Sequence, residues 1–153
     1  MTTRPRRPPR RLPRRLLVGL TLVAAGAMLA GCTPAVDSID SLEAYQREQS
    51  DADLVPADVD GSVLGAVDPA STRFLAEVDG TAIYAAKPSE GDPTMDGSGA
   101  CLVLVSSQPT AGCGSRLPVT VSGPGPNEYS LSPRMPDDEG WTELADGLWT
   151  RAK

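Results

Sequence analysis

The stretch RFLAEVDGTAIYAA, residues 73–86, decides the fold class, because two short apolar runs flank the dipeptide Asp79-Gly80. Asp-Gly between such runs is typical of a two-residue hairpin turn, since both residues tolerate the positive φ that a type I′ turn requires. With that turn, the residues expected to face one another are Val78 and Thr81, Ala76 and Ile83, and Phe74 and Ala85. The sequence therefore predicts a β-hairpin with one apolar face.

Further apolar runs extend the hairpin into a β-rich domain over residues 71–153. The run ACLVLV, residues 100–105, is apolar at both alternating sets of positions, which indicates a central strand covered on both faces. Short strands follow on either side of the Gly-Pro-Gly-Pro turn at residues 123–126, and a last hairpin about Asp146-Gly147 would set Leu144 against Trp149. We expect a mainly β fold, a small antiparallel sheet or sandwich.

Two cysteines, Cys101 and Cys113, lie inside this domain and form an even pair. Exported cysteines are usually structural, and a domain with few aromatic residues gains from a covalent link, so we predict a disulfide between them. A catalytic redox pair is the weaker interpretation, because eleven intervening residues depart from C-x-x-C.

Residues 32–70 are acidic, rich in small residues and interrupted by Pro34, Pro56 and Pro69. This composition favours a flexible tether that leads to the domain. One short helix is possible, capped by Asp40 or Ser41 and running toward Arg47.

The first 31 residues are typical of a secretion signal. Seven arginines precede residue 16 with no acidic residue among them, and residues 16–30 are uncharged and mostly apolar. About fifteen residues are too few for a permanent membrane helix, which is the alternative interpretation. The run ends in Leu29-Ala30-Gly31-Cys32.

That ending resembles the lipobox of bacterial lipoproteins. The resemblance implies cleavage between Gly31 and Cys32 and lipidation of Cys32, with the mature chain anchored to the extracytoplasmic face of the cell membrane. An arginine pair before the apolar run leaves the export route open between the general secretory and the twin-arginine pathways.

Cleavage would change the electrostatics of the chain, because it removes those seven arginines and takes the formal charge from −6 to −13. Such a charge disfavours nucleic acid and anionic headgroups as partners. Attachment to the membrane is therefore expected through acyl chains on Cys32.

The candidate chemistry of the exported part is narrow. The chain has no histidine, which removes His-based catalysis and His-ligated metals. Asp137-Asp138-Glu139 could serve a carboxylate-dependent hydrolase, although adjacent acids do not face one another across a substrate. Two loops, Asp58-Val59-Asp60-Gly61 and residues 92–97, only partly match an EF-hand loop, so we predict neither a metal nor a cofactor.

The chain resembles small secreted or lipid-anchored proteins of high-GC actinobacteria. The resemblance covers about Gln46 to Arg151. It rests on the following motifs: Gln46-Arg47-Glu48-Gln49 with Leu54-Val55-Pro56, Ser71-Thr72-Arg73 leading to Asp79-Gly80, Cys101-Leu102-Val103-Leu104-Val105, Cys113-Gly114 and Gly140-Trp141-Thr142-Glu143. It implies a compartment and an architecture, and it carries over no functional residue.

The function expected from these features is a lipid-anchored binding or accessory module of the cell envelope, with an envelope protein as the possible partner. The alternative is a small envelope hydrolase that uses carboxylates. A ligand-binding lipoprotein ranks third, because about 85 ordered residues leave little room for an enclosed pocket.

Overall fold

The computed structural model describes residues 37–90, 95, 99–137 and 139–153. These residues belong to a single compact unit, which contains its own apolar core and disulfide. Within that part of the chain, no helix is long and apolar enough to cross a membrane.

Two four-stranded antiparallel sheets make up the fold. The strands of the first sheet are β1 (Arg73–Val78), β2 (Thr81–Ala86), β3 (Ala100–Val105) and β4 (Thr110–Gly114), in the order β1-β2-β3-β4. The strands of the second are β5 (Val119–Ser122), β6 (Asn127–Leu131), β7 (Thr142–Ala145) and β8 (Leu148–Ala152), in the order β5-β6-β8-β7. The predicted mainly β, antiparallel fold is confirmed.

The main apolar core lies between the two sheets. Ile83, Leu102 and Leu104 of the first sheet are fully buried in one cluster with Leu131 and Leu148 of the second. Close packing of the sheets depends on Gly112, where a Cβ would come within 2.7 Å of Cγ2 of Val121. A larger residue at position 112 would therefore push β4 away from β5.

The prediction for residues 100–105 is confirmed, because β3 pairs with a strand on each side and is covered on both faces. Its even-numbered residues enter the core between the sheets, while Cys101 and Val103 join a second apolar cluster with Val67 and Tyr84. Residues N-terminal to β1 supply the cover for that second face.

The predicted register of the first hairpin is correct near the turn and wrong at its far end. Val78 faces Thr81 and Ala76 faces Ile83, but a register shift between Phe74 and Ala76 places Phe74 opposite Tyr84 rather than Ala85. The two rings meet edge to face, with centroids 5.5 Å apart. Such a bulge transfers a side chain to the other face of the sheet, so Phe74 packs in the second cluster.

The last hairpin shows the same kind of correction. Ala145 pairs with Leu148 and Glu143 pairs with Trp149, with a register shift between them, so Leu144 does not face Trp149. Leu144 is 36% exposed, which fits its position in the irregular part of the strand.

The predicted disulfide is confirmed. Cys101 and Cys113 face one another across β3 and β4, with an S–S distance of 2.02 Å and a Cα–Cα distance of 4.0 Å. Both sulfurs lie 3.9 Å from the carbonyl oxygen of Ala66.

The expected flexible tether is wrong from Asp37 onward, because the chain folds back onto the sheets there. Ile39 and Leu42 are 2% and 0% exposed and belong to the main core. Gly147, with φ +70°, leaves the space that Leu42 occupies, since a Cβ there would clash with its side chain. The prediction depended on the acidic, proline-rich composition of the segment. The free energy gained by burying these apolar side chains is sufficient to order the segment against the sheets.

The possible short helix takes the form of two 3₁₀ turns, Ile39–Ser41 and Glu43–Tyr45, and Ser38 rather than Asp40 or Ser41 caps the first of them. Further turns at Asp51–Asp53 and Pro69–Ser71 and a one-turn helix, α1 (Gly61–Leu64), complete the segment.

A buried carboxylate fastens this segment to the sheet. Asp53 is fully buried and accepts hydrogen bonds from Arg47, from the backbone and hydroxyl of Ser50 and from the backbone N–H of Phe74 in β1. The bond from Arg47, with those from Ser50 and Phe74, holds the pKa of Asp53 well below its usual value. The motif Gln46-Arg47-Glu48-Gln49 is thus partly structural, since Gln49 also donates to Thr72.

Candidate binding site

Two pockets lie at opposite ends of the sandwich. One, the Asp37 pocket, lies among Asp37, Pro118, Ser132 and residues 134–137. The other, the turn pocket, lies among the turns that end β1, β3 and β5. Because β5 and β6 run from one pocket to the other, about 15 Å of extended strand separates them.

The turn pocket has a volume of about 430 Å³, within the range of roughly 300–1,000 Å³ typical of small-molecule sites. The pocket is open to solvent on one side, so it is not the enclosed pocket that the size of the domain disfavours. Its lining residues come from three turns and two strand ends: Asp79, Gly80, Thr81, Ser106, Ser107, Pro124, Pro126, Asn127 and Tyr129.

Two of the lining residues, Thr81 and Tyr129, are buried as residues but carry hydroxyls that have no partner in the part of the chain that the structure describes. Thr81 and Tyr129 are 4% and 2% exposed, and neither side chain makes a hydrogen bond to another described residue. Among the described residues, the only side-chain N or O atom sealed from solvent without a partner is Nε1 of Trp141. The hydroxyls of Thr81 and Tyr129 also lack a partner among these residues but are not sealed in this way, so solvent reaches both of them. Both residues line the turn pocket.

The polar groups around the mouth are mostly neutral. Asp79 supplies a carboxylate, and Ser107 and Asn127 supply a hydroxyl and an amide. The hydroxyl of Ser106 is already bonded to the backbone of Gln108, as acceptor at 3.1 Å and donor at 3.0 Å. No lysine or arginine is among the described residues that line this pocket.

Local backbone chemistry explains why the turns can approach one another here. Asp79 and Gly80 have φ values of 50° and 72°, as the Asp-Gly turn predicts. Gly123 lies directly against the ring of Tyr129, where a Cβ would come within 2.5 Å of Cε2. The Gly-Pro-Gly-Pro sequence thus lets the third turn fold over Tyr129 without covering its hydroxyl.

The Asp37 pocket is governed by an ion pair. Nη2 of Arg134 lies 2.7 and 2.6 Å from the two carboxylate oxygens of Asp37. Met135, which also lines this pocket, is 62% exposed. Asp137 lines the pocket as well, but Arg134 already engages both oxygens of Asp37, so the two acids are not a free carboxylate pair.

A smaller apolar pocket and a contact between Trp141 and Arg151 lie elsewhere. The pocket, about 200 Å³, is lined by Leu54, Val55, Leu64 and their neighbours over the second apolar cluster. The guanidinium of Arg151 lies 4.5 Å from the centre of the Trp141 ring, and Nε of Arg151 lies 2.9 Å from Oε2 of Glu128. Arg151 is thus held between an aromatic ring and a carboxylate.

The residues singled out in the sequence lie in different places. Gly31 and Cys32, Asp138 and residues 92–94 and 96–97 lie outside the described residues, whereas Cys101 and Cys113 form the disulfide on the outer face of the first sheet. Asp60 accepts a hydrogen bond from the backbone N–H of Ser62, which caps α1 and lowers the pKa of Asp60. No group of three or more metal-ligating side chains occurs in the part of the chain that the structure describes.

Sequence analysis missed Thr81 and Tyr129 as candidate binding residues. They are 48 positions apart and belong to different sheets, so no short motif joins them. The sequence signal that could have indicated the pocket was the pair of turns, Asp-Gly and Gly-Pro-Gly-Pro, because both lie at this end of the sandwich.

No protein-family model, no curated protein and no solved structure matches this chain.

Proposed function

We propose that this protein is a lipid-anchored binding module of the cell envelope, held on the extracytoplasmic face of the membrane through acyl chains on Cys32. It acts by binding another envelope component and has no turnover of its own. The observation that carries the proposal is the position of Asp37 at one end of the sandwich, opposite the turn pocket.

The spacing between Cys32 and Asp37 supports this arrangement. Five residue steps span at most about 18 Å when fully extended, so a lipid on Cys32 keeps the Asp37 end close to the bilayer. The ion pair from Asp37 to Arg134 and the burial of Ile39 and Leu42 fix the first described residues at that end. The attachment point is therefore on the Asp37 side of the domain, and the turn pocket lies at the far ends of β5 and β6.

The charge of the mature chain also favours attachment through lipid and binding through the domain. A mature charge of −13 repels anionic headgroups and nucleic acid, so the lipid supplies the attachment and the domain stays free to meet a partner. Tethering also raises the effective concentration of the module near other envelope components, which favours weak contacts. An envelope protein remains the partner that we predict from the sequence.

Intact-mass analysis of membrane extracts tests the anchoring. The expected result is a chain that starts at Cys32 and carries acyl mass, with the Cys32→Ser variant lacking that mass and either released or retained as precursor. An unmodified soluble chain recovered from wild-type cells would contradict the proposal.

A further inference from the structure

We propose that the turn pocket binds a neutral saccharide, and that the hydroxyls of Tyr129 and Thr81 contact it. The inference rests on the proposed function, since it names the ligand of a binding module. Four properties of the pocket favour such a ligand: its solvent-accessible hydroxyls, its charge, its lack of metal-ligating groups and its position.

The two solvent-accessible hydroxyls favour a polar ligand over an apolar one. Tyr129 and Thr81 lie almost wholly inside the fold, yet their hydroxyls have no partner among the described residues. An apolar ligand in the turn pocket would strip these groups of water and leave them unsatisfied, which is unfavourable. A ligand rich in hydroxyls can both donate to and accept from them.

The charge at the pocket argues against an anion. Asp79 is the one charged residue among the described lining residues, while Nζ of Lys153 lies 3.5 Å from the carbonyl oxygen of Gly125 in the adjoining turn without lining the pocket. Phosphate and carboxylate ligands are usually bound by arginine, lysine or clustered backbone N–H groups, and Pro124 and Pro126 supply no N–H. An anionic ligand is therefore not expected.

A metal ion fits the lining poorly. Asp79 is the single acidic residue among the described residues around this pocket, and hard cations such as Ca²⁺ need six to eight oxygen ligands, with several carboxylates among them. A neutral polyhydroxy ligand uses the same carboxylate differently, as a strong acceptor for two of its hydroxyls.

The position of the pocket favours a saccharide over a peptide. Extended peptides commonly bind by adding a strand to a sheet edge, where the backbone is unpaired. The turn pocket lies among turns and strand ends rather than along a strand edge. A sugar ring, with hydroxyls directed outward around its circumference, matches a compact pocket of about 430 Å³.

The test uses ¹⁵N-labelled residues 33–153, which include both apolar clusters and the disulfide. Glucose, galactose, mannose, arabinose, N-acetylglucosamine and disaccharides of each are titrated separately, beside inorganic phosphate and triglycine. At least one neutral saccharide is expected to shift the amide resonances of Gly80, Ser107 and Asn127 in a saturable manner.

Two variants assign the contacts. Tyr129→Phe and Thr81→Val each remove one hydroxyl with little change in shape, and each should weaken saccharide binding about twofold to tenfold. Tyr84→Phe is the matched control, because Tyr84 is equally buried but lies on the other face of the first sheet, and its affinity should equal that of the wild type.

Two results would overturn the inference. One is the absence of saturable shifts at these amides with every saccharide, and the other is a response to phosphate or triglycine alone. A lipidated chain that crosslinks to an envelope component but binds no saccharide would contradict this inference and leave the proposed function standing. Saccharide binding by a chain that cells release without lipid would contradict only the anchoring.

Discussion

Arg47 and Asp53 form a two-point ion pair that joins the N-terminal segment to the first sheet. Nη1 and Nη2 of Arg47 lie 2.5 and 2.7 Å from the two carboxylate oxygens of Asp53, whose side chain is fully buried while that of Arg47 is 47% exposed. The same carboxylate accepts the backbone N–H of Phe74 at 3.0 Å. One side chain thus connects the segment to β1 at the site of the bulge.

Replacing Asp53 should therefore destabilise the whole domain. Asp53→Asn leaves the half-exposed guanidinium of Arg47 without its charged partner and replaces one acceptor oxygen with an NH₂ donor, so we expect a loss of about 1–3 kcal/mol in the free energy of unfolding. Urea unfolding at pH 7 measures this. Asp51→Asn, an exposed change in the same turn, should stay within about 0.5 kcal/mol of wild type, and an equal loss in both variants would contradict the assignment.

The same carboxylate should govern part of the acid sensitivity. Because its bonds lower the pKa of Asp53 in the folded state, its stabilising contribution is complete above the unfolded pKa of about 4 and is lost as the pH falls below it. The difference in unfolding free energy between wild type and Asp53→Asn should thus shrink from pH 5 to pH 2. A difference that is constant over this range would show that Asp53 is not the group involved.

The disulfide should contribute a large share of the stability of so small a domain. Cys101 and Cys113 are 12 positions apart, and closing a loop of that size stabilises a fold by about 3 kcal/mol. The double variant Cys101→Ala, Cys113→Ala should unfold at a clearly lower urea concentration than the wild type. Reducing agent should lower the stability of the wild type but not that of the double variant; equal midpoints for the two proteins would contradict this role.

Gly112 should be intolerant of any side chain while Val121 is present. Gly112→Ala places a Cβ against Val121, which overpacks the contact between β4 and β5 and should cost about 1–3 kcal/mol. In a Val121→Ala background the cost should fall, and a double-mutant cycle measures that coupling. Gly61→Ala is the control, because nothing lies within 4 Å of the added Cβ; additive effects at positions 112 and 121 would exclude the clash.

The tyrosine hydroxyls should differ in their structural roles. Oη of Tyr45 donates to the carbonyl oxygen of Ser71 at 2.9 Å, so Tyr45→Phe should cost about 1 kcal/mol. Tyr129→Phe should leave the stability unchanged, because its hydroxyl has no partner among the described residues. Urea unfolding of both variants checks this, and a loss in Tyr129→Phe equal to that in Tyr45→Phe would show that the hydroxyl serves the fold rather than a ligand.

Local sequence signals predicted much of the sheet structure. The Asp79-Gly80 turn, the doubly covered β3 and the cysteine pair all follow from short patterns whose physical cause is local or pairwise. The bulges near Leu75 and Leu144 do not, because a strict alternation assumes one residue opposite one residue.

Long-range packing accounts for what the sequence alone could not predict. The acidic composition of residues 37–70 indicates a tether when the segment is considered alone. Leu42 is held in place by a contact with Gly147, which lies 105 positions away in the sequence and which no local pattern reveals. The turn pocket likewise requires two sheets to meet, since Thr81 and Tyr129 share no motif.

We propose that Cys32 holds the Asp37 end of the sandwich at the membrane and leaves the turn pocket open to the envelope. Photo-crosslinking in intact cells tests it, with p-benzoyl-phenylalanine placed at exposed Ser107 or at Met135, which is 62% exposed in the Asp37 pocket. We expect position 107 to capture one envelope component and position 135 to capture lipid, with the lipid product lost in Cys32→Ser. Identical products from both positions, or lipid capture that Cys32→Ser does not change, would contradict the account.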